Sequence, residues 1–134
     1  MQIDHIGIAV KDLDAAIEIY EKILDTPCFK RETVESQKVE TAFFQTGESK
    51  VELLGATSTG SVIHSFIEKR GQGIHHIAFE VNDLDSEIMR LRNEGFTFIN
   101  NEPVPGADKK RIAFLHPKCS TGVLIELCES IRTP

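Results

Sequence analysis

The chain has 134 residues, of which 40% are hydrophobic, so it can bury one compact core but not two full-sized domains. Its formal net charge of −6 comes from interspersed acidic and basic residues, which disfavours a nucleic-acid or anionic-lipid partner. The apolar stretches are strand-sized, so neither a signal peptide nor a membrane span is predicted. Cys28, Cys119 and Cys128 lack a CxxC spacing and are expected to be free thiols in the cytoplasm.

Part of the sequence repeats at an offset of 71 residues. Residues 4–17 (DHIGIAVKDLDAAI) align with residues 75–88 (HHIAFEVNDLDSEI), and seven of the fourteen positions are identical. A repeat of about half the chain predicts two copies of one supersecondary unit, related by a pseudo-two-fold axis.

The first copy begins with a predicted strand at Ile3–Val10, followed by a helix that Asp12 caps and Pro27 stops. One apolar stripe defines this helix: Leu13, Ala16, Ile17, Tyr20, Ile23 and Leu24. Three β-favouring runs follow, at residues 28–34, 39–45 and 50–54, with a tight turn at Gly47 and Glu48. The first copy is therefore predicted to be a βαβββ unit.

The second copy repeats this order after a connecting segment. Residues 55–61 are rich in Gly, Ser and Thr, and residues 62–69 are predicted to form a short helix. The second unit then has a strand at 74–81, a helix at 84–94, and strands at 96–99, 111–115 and 123–127. The predicted fold is α+β in a single domain, residues 1–134. Module 1 covers about 1–55, the linker and short helix about 56–73, and module 2 about 74–130.

Two histidines occupy the same place in the duplicated strands. Strand alternation puts His5 with Gly7 and Ala9, and His76 with Ala78, on a face of small residues that leaves room for a ligand. A lone histidine in a strand is usually a hydrogen-bonded core residue. The matched pair makes a functional role the stronger interpretation.

Two carboxylates also lie at corresponding places, Glu52 in VELL and Glu126 in LIEL. An ionised carboxylate buried in an apolar strand without a partner costs roughly several kcal/mol. An internal two-fold would bring these residues together with His5 and His76, as a set suited to one divalent ion. Such a set admits cobalt, manganese, nickel, zinc or iron. The alternative is a pair of edge strands whose glutamates face water.

The strand DHIGIAV, its repeat HHIAFEV and the two carboxylate strands resemble the vicinal-oxygen-chelate superfamily over nearly the whole chain. The segments AFFQTGESKVELL, GIHHIAFEV and FLHPKCSTGVLIEL resemble the methylmalonyl-CoA epimerase family more specifically. The resemblance implies a curved mixed sheet around a metal-containing cleft, with His5, Glu52, His76 and Glu126 as ligands. It also implies an acyl-CoA substrate and a homodimer. Some members of the family carry Gln at the position of Glu52.

The reaction that this resemblance implies is epimerisation of methylmalonyl-CoA between its 2R and 2S forms. A proton leaves C2, a metal-stabilised enolate forms, and a proton returns on the opposite face. Glu126 is the first choice for one acid/base, because a carboxylate at the edge of the metal can accept a proton. For the other, the resemblance points to Glu40 in VETAFF; the alternative is a solvated strand residue.

Further residues are assigned to the coenzyme A thioester. By resemblance, His116 lies near the substrate carboxylate or the thioester; the alternative is an ordinary turn histidine. Lys118 and the basic residues 109–111 could meet phosphates, although a solvated basic turn explains them equally well. Cys128 shares its strand face with Glu126, and a small buried filler is the favoured role.

Three other functions fit parts of the pattern. A glyoxalase-I-type isomerase (lactoylglutathione lyase) would use the same ligands on a glutathione hemithioacetal. An extradiol dioxygenase needs two histidines and only one carboxylate, so Glu52 argues against it. A drug-sequestering protein of the same superfamily needs no metal, and its ligand binding would survive a chelator.

Overall fold

The computed structural model describes residues 1–131, which contain eight strands, three α-helices and two short 3-10 helices. In chain order the strands and α-helices are β1 (Gln2–Ala9), α1 (Leu13–Leu24), β2 (Lys30–Val34), β3 (Val39–Thr46), β4 (Ser49–Ala56), α2 (Val62–Arg70), β5 (Gly73–Glu80), α3 (Leu84–Asn93), β6 (Val104–Pro105), β7 (Lys110–Phe114) and β8 (Ile125–Ser130). This order confirms an α+β fold built from two βαβββ modules. Module 1 is β1–β4 with α1, and module 2 is β5–β8 with α3.

The two modules have the same internal topology. In module 1 the strands lie in the order β2-β3-β4-β1, and in module 2 in the order β6-β7-β8-β5. The β1–β4 and β5–β8 pairs are parallel, and the other pairs within each module are antiparallel. Contacts divide the chain into two compact units, one from His5 to His75 and one that joins residues 1–4 to the chain from His76 onward. The single-domain organisation stays a prediction.

Helix α1 covers one face of module 1. Asp12 caps it by accepting a hydrogen bond from the Ala15 N–H at 3.1 Å. Its apolar side packs on the strands through a buried cluster of Val10, Leu13, Ala16, Ile17, Ala42, Phe44 and Leu53. The helix ends when Asp25 adopts a left-handed conformation with φ of 50°, so it stops before Pro27 is reached.

Helix α2 packs on part of the other face of module 1. Ser61 caps this helix, and the buried Ile63 joins Ala9, Val39 and Leu54 in an apolar cluster. None of the helices in the described part of the chain has the length and apolar content that a membrane-crossing helix requires.

Helix α3 repeats the role of α1 in module 2. Asp83 accepts a hydrogen bond from the Ser86 N–H, and the helix packs through a buried cluster of Val81, Leu84, Ile88, Ala113, Leu115 and Leu127. The apolar stripe predicted from the sequence is therefore confirmed for both Leu84 and Ile88.

The predicted strand at residues 96–99 is wrong. Only Phe98 forms an isolated bridge there, with Leu115. The edge strand of module 2 is β6, which is two residues long and lies opposite Ile112. The ladder stops after Ile99 because the side chain of Asn100, not a backbone carbonyl, accepts the Phe114 N–H at 2.9 Å.

Candidate active site

The face of β1–β4 that lies away from α1, called here the site face of module 1, carries the first histidine–carboxylate pair. Glu52 is the cross-strand neighbour of Phe43 and the parallel neighbour of Gly7. His5 and Glu52 are both buried, and His5 Nε2 lies 3.3 Å from Glu52 Oε1. Because Gly7 has no side chain, the carboxylate has room beside β1 to reach the imidazole.

The site face of module 2, which lies away from α3, carries an equivalent pair. His76 Nε2 lies 3.5 Å from Glu126 Oε1, and each residue is only 4% exposed. Phe114 is the cross-strand neighbour of Glu126, and its ring meets the His76 ring edge-on at 5.8 Å between centroids. This contact fixes the plane of the imidazole.

The two phenylalanines are site residues that the sequence interpretation did not single out. Phe43 stands beside Glu52 and Phe114 stands beside Glu126, each directly across an antiparallel pair. Both positions follow an alanine in the sequence and differ by the same offset of 71 residues. Extending the internal repeat into the third strand would have found them.

The donor chemistry of these pairs fits a divalent transition-metal ion. Each pair offers one imidazole nitrogen and one carboxylate oxygen, from the buried residues His5, Glu52, His76 and Glu126. Cobalt, nickel, manganese and zinc accept such mixed nitrogen and oxygen ligands.

The structure does not bring Glu40 to the site face of module 1. Glu40 alternates with Ala42 and Phe44, which pack against α1, and its carboxylate accepts a hydrogen bond from Arg31 Nε at 2.9 Å. Hydrogen bonds to Glu40 and then to Asp14 raise the pKa of Arg31. The Glu40 carboxylate is therefore held in an ion pair on the opposite face from Glu52, and its role as the second acid/base stays a prediction.

His116 and Lys118 lie in the turn between β7 and β8. The Lys118 N–H donates a hydrogen bond to His116 Nδ1 at 3.2 Å, so His116 caps the 3-10 helix Pro117–Cys119. The His116 ring is half-buried and Lys118 is exposed. Because Nδ1 accepts a hydrogen bond from the Lys118 N–H, the neutral form of the ring carries its proton on Nε2, which can donate a hydrogen bond to a ligand.

Two of the basic residues that could have met phosphates are already engaged by carboxylates. Lys110 is buried and forms ion pairs with Asp4 and Glu80, whose charges raise the pKa of Lys110 against the opposing effect of burial. Arg111 pairs with Glu129 at 3.0 Å and with Asp85 at 3.3 Å. Neither side chain extends from a solvated basic turn, because each is held by two carboxylates.

Cys128 is a buried thiol on the site face of module 2. It is the cross-strand neighbour of Ile112 and packs with Ala78, Val104 and Phe114. Burial, together with the negative charges of Asp4 and Glu126, raises the pKa of the Cys128 thiol. A neutral thiol is a poor metal ligand and nucleophile, so the interpretation of Cys128 as a small buried filler is the one that this environment favours.

Comparison with known proteins agrees with this architecture. A sequence profile of the Glyoxalase/Bleomycin resistance protein/Dioxygenase superfamily matches residues 4–114. The chain therefore belongs to this superfamily. Within it, the solved and curated relatives include methylmalonyl-CoA epimerases at 30–38% identity, and the predicted enzyme class, an epimerase, is confirmed.

Three relatives illustrate the likeness. The Bacillus subtilis protein YqjC, which is uncharacterized, is 45% identical over 96% of this chain and 91% of its own length. The ethylmalonyl-CoA/methylmalonyl-CoA epimerase of Cereibacter sphaeroides is 37% identical over 94% of this chain and 96% of its own. A Streptomyces coelicolor methylmalonyl-CoA epimerase variant, solved with 2-nitronate-propionyl-CoA, is 38% identical with a TM-score of 0.91, covering 98% of this chain and 99% of that one.

Proposed function

We propose that the protein interconverts the 2R and 2S forms of methylmalonyl-CoA, and that His5, Glu52, His76 and Glu126 together hold one divalent ion at the reacting centre. The matched pairs of buried imidazole and carboxylate are the observation that carries this proposal. The likeness to methylmalonyl-CoA epimerases over nearly the whole chain supports the substrate.

Deprotonation at C2, between the thioester and the carboxylate, is difficult because negative charge develops on the thioester oxygen. A divalent ion held by His5, Glu52, His76 and Glu126 would supply positive charge that stabilises this oxygen. The protein contributes side chains that are already in position around the reacting centre before the reaction begins. Phe43 and Phe114 stand beside the two carboxylates, and they exclude water that would weaken each electrostatic interaction.

Glu126 is proposed to remove the C2 proton with a carboxylate oxygen. His76 holds one oxygen of this carboxylate, at 3.5 Å, and Phe114 packs beside it, so the side chain has few other orientations. The carboxylate is only 4% exposed, so few water molecules compete with the substrate for its oxygens.

Inversion needs a second acid/base on the other side of the planar enolate. The pairing of Glu40 with Arg31 on the α1 side of the strands disfavours Glu40 for this role. Two other carboxylates of module 1 are alternative candidates, of which Glu32 also pairs with Lys30 at 3.3 Å. Glu32 shares the site face through its cross-strand neighbour Thr41, and the exposed Glu35 opens the 3-10 turn that follows β2. We infer that one of these two returns the proton.

His116 is proposed to donate its Nε2 proton to the substrate carboxylate or to the thioester oxygen. The cap that it forms with the Lys118 N–H leaves Nε2 as the donor atom of the neutral ring. Lys118 is exposed beside it and is proposed to meet a phosphate of coenzyme A. The homodimer and the cytoplasmic location inferred from the sequence stay predictions.

The test is incubation of the metal-loaded protein with one stereoisomer of methylmalonyl-CoA in deuterated solvent. We expect the other stereoisomer to appear, with deuterium at C2, and a chelator to abolish both. Glu32→Gln and Glu35→Gln, compared in the same assay, identify the second acid/base as the variant that loses inversion. If the metal-loaded protein instead catalysed neither epimerisation nor exchange and turned over a glutathione hemithioacetal, that result would replace the proposal by the glyoxalase-I-type function.

A further inference from the structure

A buried charged cluster lies at one end of the site face of module 2, away from the histidine–carboxylate pair. Lys110 is only 7% exposed and Asp4 only 5%. Lys110 Nζ lies 3.5 Å from an Asp4 carboxylate oxygen, 3.4 Å from Glu80 Oε1 and 2.8 Å from Ser130 Oγ. Three elements of the same unit therefore meet at one ammonium group.

Module 1 offers an internal comparison, because the strand registers of the two modules match. Lys110 pairs with Ser130 in module 2 as Val39 pairs with Ala56 in module 1. Glu80 occupies the position that Ala9 has in module 1. Ala9 and Val39 form an apolar cluster with Leu54 and Ile63, and Ala56 is exposed at the end of β4. The same three strand positions therefore carry uncharged residues in module 1 and two charged residues in module 2.

A gain in folding stability alone does not account for the presence of charged residues in module 2 where module 1 has apolar ones. Taking two charges out of water costs about as much as their attraction returns, so apolar residues of similar volume are often as stabilising or more so. A buried ion pair does specify position, because a misplaced partner leaves a charge that is buried without compensation. The Lys110 cluster accepts only one placement of Asp4.

The placement of Asp4 matters because His5 follows it directly in β1. A shift of one residue along a strand moves every side chain to the opposite face. We propose that Lys110 is a positioning residue for the metal site: by holding Asp4, it fixes the register of the strand segment that presents His5. This inference rests on the proposed function, since it assigns His5 to a metal ion.

Calorimetric titration of the metal-free protein with Co²⁺ tests the proposal, and the structure supplies a matched control. Lys110→Met removes the ammonium but keeps an unbranched side chain. Arg111→Met removes the next charge along β7, whose partners Glu129 and Asp85 do not lie in β1. We expect Lys110→Met to weaken Co²⁺ binding by about 10-fold or more, and Arg111→Met to leave it within about two-fold.

Two further variants separate positioning from folding. Asp4→Asn keeps the shape of the clamped side chain and should weaken Co²⁺ binding to a similar extent, while Lys110→Arg should restore most of it. The visible spectrum of bound Co²⁺ reports the ligand geometry and should change in Lys110→Met but not in Arg111→Met. The positioning role of Lys110 would be overturned if Lys110→Met and Asp4→Asn both bound Co²⁺ with the parental affinity. It would also be overturned if Lys110→Met and Arg111→Met lost the same amount of affinity. If the parental protein bound no Co²⁺, the proposed metal site itself would be overturned, and the positioning role with it.

Discussion

The sharpest consequence of the proposed mechanism concerns Glu126→Gln. The change replaces one oxygen by an NH₂ group at a residue that is 4% exposed, so the volume beside Phe114 is kept. The amide oxygen can still lie near His76 Nε2, where Glu126 Oε1 now lies at 3.5 Å. The variant therefore removes the proton acceptor and one negative charge, and very little packing.

The expected loss of turnover follows from these two roles. A positioned general base contributes typically about 100- to 10,000-fold, and the lost charge weakens metal binding in addition. We expect kcat to fall by about 1,000-fold or more, which corresponds to about 4 kcal/mol in the activation free energy. The metal-free variant should unfold at no lower a temperature than the parent, because a buried carboxylate is more costly to desolvate than an amide.

Proton NMR of the substrate in D₂O measures this directly, by following loss of the C2 hydrogen. Glu52→Gln is the matched control, since it makes the same change in the other pair, where 3.3 Å separates His5 from the carboxylate. This control should retain exchange to within about 10-fold of the parent once it is saturated with metal, because it changes a ligand but not the base. Parental exchange in Glu126→Gln would remove Glu126 from the mechanism.

Three further predictions follow from residues outside the pairs. Glu40→Gln should change turnover by less than about two-fold and lower the free energy of unfolding in urea by only about 0.2–1 kcal/mol, because its ion pair with Arg31 is partly exposed; a 100-fold loss of turnover would return Glu40 to catalysis. Hydrogen bonds from Thr97 lower the pKa of Cys119, whereas burial raises that of Cys128. Iodoacetamide at pH 7 should therefore modify Cys119 first, which mass spectrometry measures, and equal labelling would contradict these environments. Only the unfolded chain ionises the Cys128 thiol readily. The free energy of unfolding should therefore fall as pH rises above about 8.5.

Much of the fold could be predicted because local signals repeat. Asp12 caps α1 as expected, Asp83 repeats this cap in α3, and the apolar stripes behind them form the two buried clusters against the strands. The failure at residues 96–99 has a local cause as well. Periodicity predicts an extended segment there, but it does not reveal that the Asn100 side chain takes the next hydrogen-bonding position of the ladder.

The sequence predicts those site residues whose strand face follows from the alternation of side chains alone. Alternation places His5 with Gly7 and His76 with Ala78, and the parallel registers bring Glu52 and Glu126 beside them. Alternation also groups Glu40 with Ala42 and Phe44, but sequence alone does not say which face α1 covers.

Other side chains depend on partners that are distant in sequence. Lys110 contacts Asp4, 106 positions earlier in the chain, and no local pattern predicts that pair. Because Lys110 lies between Lys109 and Arg111 in the sequence, a solvated basic turn was the simpler expectation for it.

The central claim is that the two histidine–carboxylate pairs share one cation. Metal analysis after equilibrium dialysis of the parent, His5→Ala and His76→Ala proteins against Co²⁺ tests it most directly. We expect one ion per parental chain and strongly weakened binding in either variant, because each pair supplies only half of the ligands. Two ions per parental chain, with one remaining in each variant, would show that the pairs act separately and would contradict the shared site.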